Sequence, residues 1–105
     1  MSAAGAAQAL PAVNRLVLQA KVLERGAVRY TPAGLPALDL ALRHESQLTE
    51  AGQLRKVSVE IRAVAIGEIA QRTARLEIGS ESGFAGFLSA QRNGRGVVFH
   101  VTEVA

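Results

Sequence analysis

The chain has 105 residues, of which 49% are apolar, twelve are lysine or arginine, nine are acidic and none is cysteine. That length allows one domain with a modest core, and the apolar content argues against disorder for the bulk of it. The lack of cysteine excludes disulfides, thiolate catalysis and most zinc sites, while a net charge of +3 leans toward an anionic partner. No apolar run reaches the ~18 residues of a membrane span, so no membrane association is expected and a cytoplasmic location fits best.

Residues 1–12 are small, uncharged and interrupted by Pro11, and they read as a disordered Ala-rich tail. Patterned sequence begins at Val13, whose codon can itself serve as an initiator, and residues 13–105 form the expected domain. From Arg15 a strand period takes over. Leu16, Leu18, Ala20 and Val22 suit a core face, and Val17, Gln19, Lys21 and Leu23 a partly exposed one. Arg25-Gly26 ends or bulges this strand. Thr31-Pro32-Ala33-Gly34 is a turn, because Pro32 presets φ and Gly34 allows the positive φ that follows.

The second strand is Pro36–His44, with Leu38, Leu40 and Leu42 facing in and Asp39, Ala41 and Arg43 facing out. Helix competes here, since leucine is a weak strand former, but Pro32, Gly34 and Pro36 crowd its start. Glu45–Gln53 reads as a polar loop. The third strand, Arg55–Val64, alternates cleanly: Val57, Val59, Ile61 and Ala63 on one side, Lys56, Ser58, Glu60 and Arg62 on the other.

Between Ile66 and Arg75 the period changes, and Ile66, Ile69, Ala70 and Thr73 recur at helical spacing. A fourth strand, Gly83–Gln91, bends at Gly83 and Gly86. A basic glycine loop, Arg92-Asn93-Gly94-Arg95-Gly96, leads to the last strand, Val97–Val104. There Val97, Phe99 and Val101 lie opposite Val98, His100 and Thr102.

Five strands with a short helix between the third and fourth is the plan of an OB-fold, an all-β Greek-key barrel. Its second and third strands, with the loops joining strands 1–2 and 4–5, commonly bind oligonucleotides. An SH3-like barrel has a similar inventory and stays open as an alternative.

The basic residues suit a nucleic-acid surface. Lys21, Arg43, Lys56 and Arg62 fall on the outward sides of the first three strands, with Asp39 and Glu60 placed to pair with some of them. Arg92 and Arg95 lie in a window, Ser82 to Thr102, that contains no acid. Tyr30, beside Arg29 at the strand 1–2 turn, could stack a base. Phe87 and Phe99 read as core, and Phe84 is left open. With few rings, phosphate neutralisation should dominate; about four contacts at roughly −0.7 each give a salt slope near −3. Neither His44, next to Glu45, nor His100 has a nucleophile or ligand set nearby, so no catalysis, cofactor or metal is expected.

Certain residues also carry a resemblance. Asn14-Arg15-Leu16-Val17-Leu18, Pro32-Ala33-Gly34-Leu35-Pro36, Leu42-Arg43-His44, Ala51-Gly52, and Gly79-Ser80 followed by Gly86-Phe87-Leu88 resemble the bacterial primosomal replication protein N family, PriB. The match spans Val13 to Val104. The resemblance implies an OB-fold homodimer related to single-stranded DNA-binding proteins. It implies binding to single-stranded DNA, stabilisation of the PriA helicase at stalled forks, an accessory role, and room for contact with a single-stranded DNA-binding protein. For the dimer, the outward Val17 and Leu23 of the first strand are the candidate interface. Two departures from the enterobacterial members stand out: Ser58 falls where they have an aromatic residue, and Arg92 and Arg95 replace a longer lysine-rich loop. A protein-docking barrel with weak nucleic-acid affinity and an RNA-binding OB domain are the alternatives.

Overall fold

The computed structural model describes residues 12–105; the expectation of a disordered tail falls almost wholly on residues 1–11, outside the described residues. Six strands and one helix follow in order: β1 Leu16–Arg25, β2 Arg29–Tyr30, β3 Pro36–Glu50, β4 Gln53–Ile66, α1 Glu68–Thr73, β5 Glu81–Ala90 and β6 Val97–Val104. Hydrogen bonding runs β1-β5-β6-β4-β3-β2, and a further β1–β3 pairing closes the five longer strands into a barrel.

Closure depends on β1 serving two partners. Its first half pairs with β5, from Leu16 opposite Gly86 to Lys21 opposite Glu81. Its second half pairs with β3, and the register slips at Leu23, between Val22 opposite Leu42 and Glu24 opposite Ala41. Such a bulge bends a strand and increases its twist. The other seam is parallel, β4 against β6, with Ala63 opposite Phe99. This is the OB arrangement expected for the chain.

The predicted alternation places much of the core: Ala20, Val22, Leu38, Leu40, Leu42, Ala63, Phe99 and Val101 are buried, and Ala65 and Phe84 join them. The helix α1 packs against the barrel and inserts Ala70 and Thr73, both fully buried. The Thr73 hydroxyl donates to the carbonyls of Ile69 and Ala70 at 2.9 and 3.1 Å, so its burial leaves no orphan. Glu68 in the first turn and Arg72 in the last complement the helix dipole. Ile66, expected on the helix, instead ends β4 and is partly exposed.

Three expectations are corrected. Glu45–Gln53 is not a loop: β3 continues to Glu50, β4 starts at Gln53, and Ala51-Gly52 turns between them. Both turn residues have positive φ, 52° and 76°, the requirement of a two-residue type I′ hairpin. From Arg43 to Glu50 this ribbon runs about 24 Å, past the last β1 and β6 pairings. Val59 faces the core side yet is exposed for that reason.

Second, Phe87 is not core; it is 39% exposed, while Phe84, left open above, is fully buried. The β5–β6 register shifts between Ala85 opposite Glu103 and Gly86 opposite Val101, leaving Thr102 as an extra residue. Third, Val97 is also exposed, and Val104 joins Phe99 and Val101 inside because the same bulge resets parity. Gly86 sits at the bulge, where a β-carbon would lie 1.8 Å from the His100 carbonyl oxygen.

Candidate nucleic-acid interface

The outer face of β3 and β4 carries three of the seven predicted cations, Arg43, Lys56 and Arg62, and the register shows what each one meets. Arg62 lies opposite Ala41, Glu60 opposite Arg43, Ser58 opposite Glu45 and Lys56 opposite Gln47. From β1, Lys21 stands between Arg43 and the β5 residue Glu81. One row across four strands therefore reads Glu81, Lys21, Arg43, Glu60, with alternating sign. Arg43 also reaches Glu45 at 3.9 Å. Lys21 and Arg43 are thus set among carboxylates, whereas Arg62 and Lys56 have neutral cross-strand neighbours. Ser58 offers no stacking surface beside them.

Arg29 and Tyr30 form β2, a two-residue strand on the outer edge of β3, with Arg29 opposite Ala37 and Tyr30 opposite Pro36. Arg29 grips Asp39 through two hydrogen bonds, Nε to Oδ2 at 2.9 Å and Nη2 to Oδ1 at 3.1 Å. The Arg29 hydrogen bond holds the Asp39 carboxyl below the usual carboxylate range against a partial desolvation, with the charges of Arg29 and Arg62 adding to it. Alternation sends Tyr30 to the other side of β2 from this pair, where it is 69% exposed. Tyr30 is therefore accessible to a base but does not share a face with Arg29.

This pairing yields a prediction. Asp39→Asn should release Arg29 and remove a carboxylate next to Arg62. Single-strand affinity should rise about threefold at low salt, and the salt slope should steepen by about 0.7, one further phosphate contact. The cost in stability should be at most about 1 kcal/mol, since both partners are more than half exposed. A depressed carboxyl stabilises above its unfolded titration and loses that contribution as pH falls through its folded value. The stability difference between parent and variant should therefore be present at neutral pH and vanish in acid below the ordinary carboxylate range. Salt titrations and urea melts at two pH values check both halves.

Arg92 and Arg95 sit in the β5–β6 connection, which folds back on itself. The Gly94 amide donates to the Gln91 carbonyl at 2.9 Å, Gln91 to Gly96 at 3.2 Å, and the Arg95 amide to the Asn93 side chain at 2.9 Å. Both guanidinium groups are exposed. Because β4 and β6 run parallel, the residues before Val97 lie at the end of the barrel from which the β3–β4 ribbon projects. Arg29 and Tyr30 lie at the opposite end, beside the start of β3. Among the described residues, Lys21, Lys56, Arg62, Arg92 and Arg95 enter no ion pair.

The candidate dimer residues also separate. Val17 is 65% exposed on the outer face of β1, on a stretch that pairs only with β5. Leu23 is half-buried at the bulge, so the two do not extend one regular stripe. Near them His44 is held on both ring nitrogens, 2.7 Å from the Gln19 carbonyl oxygen and 2.8 Å from the Ser46 hydroxyl. It ties β1 to β3 where the two strands diverge, a structural role, and the Ser46 hydroxyl against its ring corrects the expectation that no nucleophile lies near His44.

Two features lay outside the sequence reading. Asn14 extends the β1–β5 ladder with its side chain, donating to the Leu88 carbonyl at 2.7 Å and accepting from the Leu88 amide at 2.9 Å. Phe87 and His100, opposite each other on the outer faces of β5 and β6, stack with ring centroids 4.7 Å apart and planes 8° from parallel.

An OB barrel with a partly uncompensated basic face places the molecule among single-strand-binding folds. A family model described as another single-strand binding protein family matches residues 14–103. The wild-type single-stranded DNA binding protein from Thermus aquaticus superposes with a TM-score of 0.70 at 30% identity, over 89% of this chain and 49% of that one.

Nearer relatives narrow the class. The replication restart protein PriB of Bordetella pertussis is 51% identical over 80 residues, 76% of this chain and 75% of its own. The structure of PriB from Ralstonia solanacearum superposes with a TM-score of 0.82 at 36% identity, over 90% of this chain and 97% of that one. The chain belongs to the PriB family of replication restart proteins.

Proposed function

We propose that this protein binds single-stranded DNA as a non-catalytic accessory factor of replication restart, working in the cytoplasm and stabilising the PriA helicase on DNA at stalled forks. The observation that carries the reading is the set of ion-pair-free cations on one OB barrel: Arg62 and Lys56 on the β3–β4 face, and Arg92 and Arg95 at the same end. The PriB relatives carry replication restart in their names. A homodimer is part of the proposal, with the exposed Val17 on the singly paired half of β1 as its centre, and Leu23 at its margin.

Phosphate contact dominates this mode of binding. Lys56 faces the neutral Gln47 and Arg62 the neutral Ala41, and the Asp39 carboxylate near Arg62 is already held by Arg29. Lys21 and Arg43 contribute less, because their acids already screen them. Arg29 joins only if its pair with Asp39 opens. Tyr30 can stack a base at the far end.

Fluorescence anisotropy with labelled oligo-dT, matched duplex DNA and oligo-U tests the proposal, on protein whose mass is read by sedimentation. Binding to dT well above duplex, with a salt slope near −3 from about four contacts, is the expected result. Tighter binding to oligo-U would redirect the function to RNA. No binding at low salt would remove nucleic acid as the ligand and leave docking to a protein partner.

A further inference from the structure

We propose that the Phe87–His100 pair is a base-stacking platform, a second aromatic contact for the single strand, on the outer face of β5 and β6 between the predicted residues Arg62 and Val17. The inference rests on the single-strand reading above and specifies where a base, as opposed to a phosphate, is held.

The placement comes from the ladders. Val64 of β4 lies opposite His100 of β6, and His100 opposite Phe87 of β5. Continuing the β1–β5 register one step from Leu16 opposite Gly86 brings Arg15 beside Phe87. One row on the outer surface thus reads Val64, His100, Phe87, Arg15. Arg62 lies in the next row, two residues before Val64. The rings therefore stand between two cations on the barrel exterior, about 14 Å apart across three strand spacings.

The rings are nearly parallel and Phe87 is 39% exposed. A parallel pair presents an outer ring face on which a third aromatic plane can add at stacking distance. A nucleobase supplies such a plane, and every base has one. The neighbours in the next row, Ser89 opposite Val98, are smaller than the rings. Arg15 is held only loosely, 3.8 Å from Glu103 with both side chains more than half exposed, so it can turn to a phosphate.

The charge around the rings favours a nucleic acid over a second copy of the chain. Along β5 and β6 no acid lies between Ser82 and Thr102, and the neighbouring carboxylates in the sheet, Asp39 across Val64 and Glu103 opposite Ala85, are each paired with an arginine, Arg29 and Arg15. A two-fold copy docked on this face would bring Arg62, Arg92 and Arg95 toward their own counterparts. A polyanion would instead be drawn in. The platform also answers the lack of a ring at Ser58: stacking moves from the β3–β4 face to β5–β6, on the far side of Arg62.

The test compares the wild-type chain, Phe87→Leu and Phe87→Tyr against labelled oligo-dT and an abasic oligonucleotide of equal length. Leucine keeps apolar bulk and charge but removes the ring face. Phe87→Leu should lower dT affinity about tenfold, within the range of one lost base stack. Its salt slope and its affinity for the abasic strand should stay unchanged, and Phe87→Tyr should restore binding. Equal dT affinity for wild type and Phe87→Leu would overturn the platform and leave the single-strand reading standing. So would an equal loss on the abasic strand. A fall in molecular mass for Phe87→Leu would make the patch a subunit interface and also overturn it. A wild-type chain that does not bind dT would overturn the platform together with the reading beneath it.

Discussion

Gly86→Ala should lower the folding free energy by about 3 kcal/mol, the upper part of the range for forcing an extra methyl group into packed structure. The position has an ordinary backbone angle, so conformational freedom is not the reason. Proximity is. An alanine β-carbon would fall 1.8 Å from the His100 carbonyl oxygen, 2.9 Å from its carbon and 3.1 Å from the Thr102 nitrogen. All three are backbone atoms of β6 and cannot rotate away. Relief requires β6 to lift from β5 where Thr102 is already extruded from the register. Lifting it would drag Phe99 and Val101, both buried in the core. For a domain whose whole stability is of order 5–15 kcal/mol, such a loss is large. Urea denaturation of parent and variant measures it. A loss below about 1 kcal/mol would mean that the extra residue can migrate along β6 at little cost.

Replacing Arg62, Arg92 and Arg95 together by alanine should have the largest effect on binding. At about 50 mM salt we expect roughly a 100-fold loss for oligo-dT, with the salt slope falling from about −3 toward −1, since about three phosphate contacts are removed. The fold should be indifferent. All three are exposed and enter no ion pair among the described residues, and surface changes of this kind usually shift stability by under about 0.5 kcal/mol. A control triple at Lys21, Arg43 and Arg29 has the same change in charge. It should lose much less affinity, because those residues already face Glu81, Glu60 and Asp39. Salt titrations by anisotropy, with circular dichroism as a fold check, separate the two sets. Equal losses would show that total charge matters and local pairing does not.

The barrel was legible in the chain because its core strands bury one side only. Alternation at Leu38, Leu40 and Leu42 or at Leu16, Leu18, Ala20 and Val22 records which side that is. The ribbon beyond Arg43 was not legible for the converse reason. Both its faces meet water, so Glu45 to Glu50 carries no period, and only Ala51-Gly52 marks the hairpin. Phe84 and Phe87 are three positions apart, so strict alternation puts them on opposite sides of β5. Choosing the inner one needed the register against β6, which the extrusion of Thr102 shifts. The short Arg29–Tyr30 strand left no pattern at all, and with it the Arg29–Asp39 pair stayed hidden. The basic loop was legible because its surroundings lack acid over twenty residues of sequence; the crowding of Lys21 and Arg43 by Glu81 and Glu60 arises only across strands.

Arg62 and Lys56 share one strand and one face, yet they stand on different mechanical ground. Arg62 is next to the parallel seam at Ala63 and Phe99, so it is held as firmly as the barrel. Lys56 is carried by a ribbon of two strands with no covering layer, and a lone hairpin is marginal in water. Ribbon residues can therefore fray while the core stays closed. A phosphate on Arg62 meets a site already in place, whereas a phosphate on Lys56 must also quiet the ribbon that carries it. Equal charges thus give unequal binding: the contribution of Lys56 carries an entropic discount and should fade first as temperature rises.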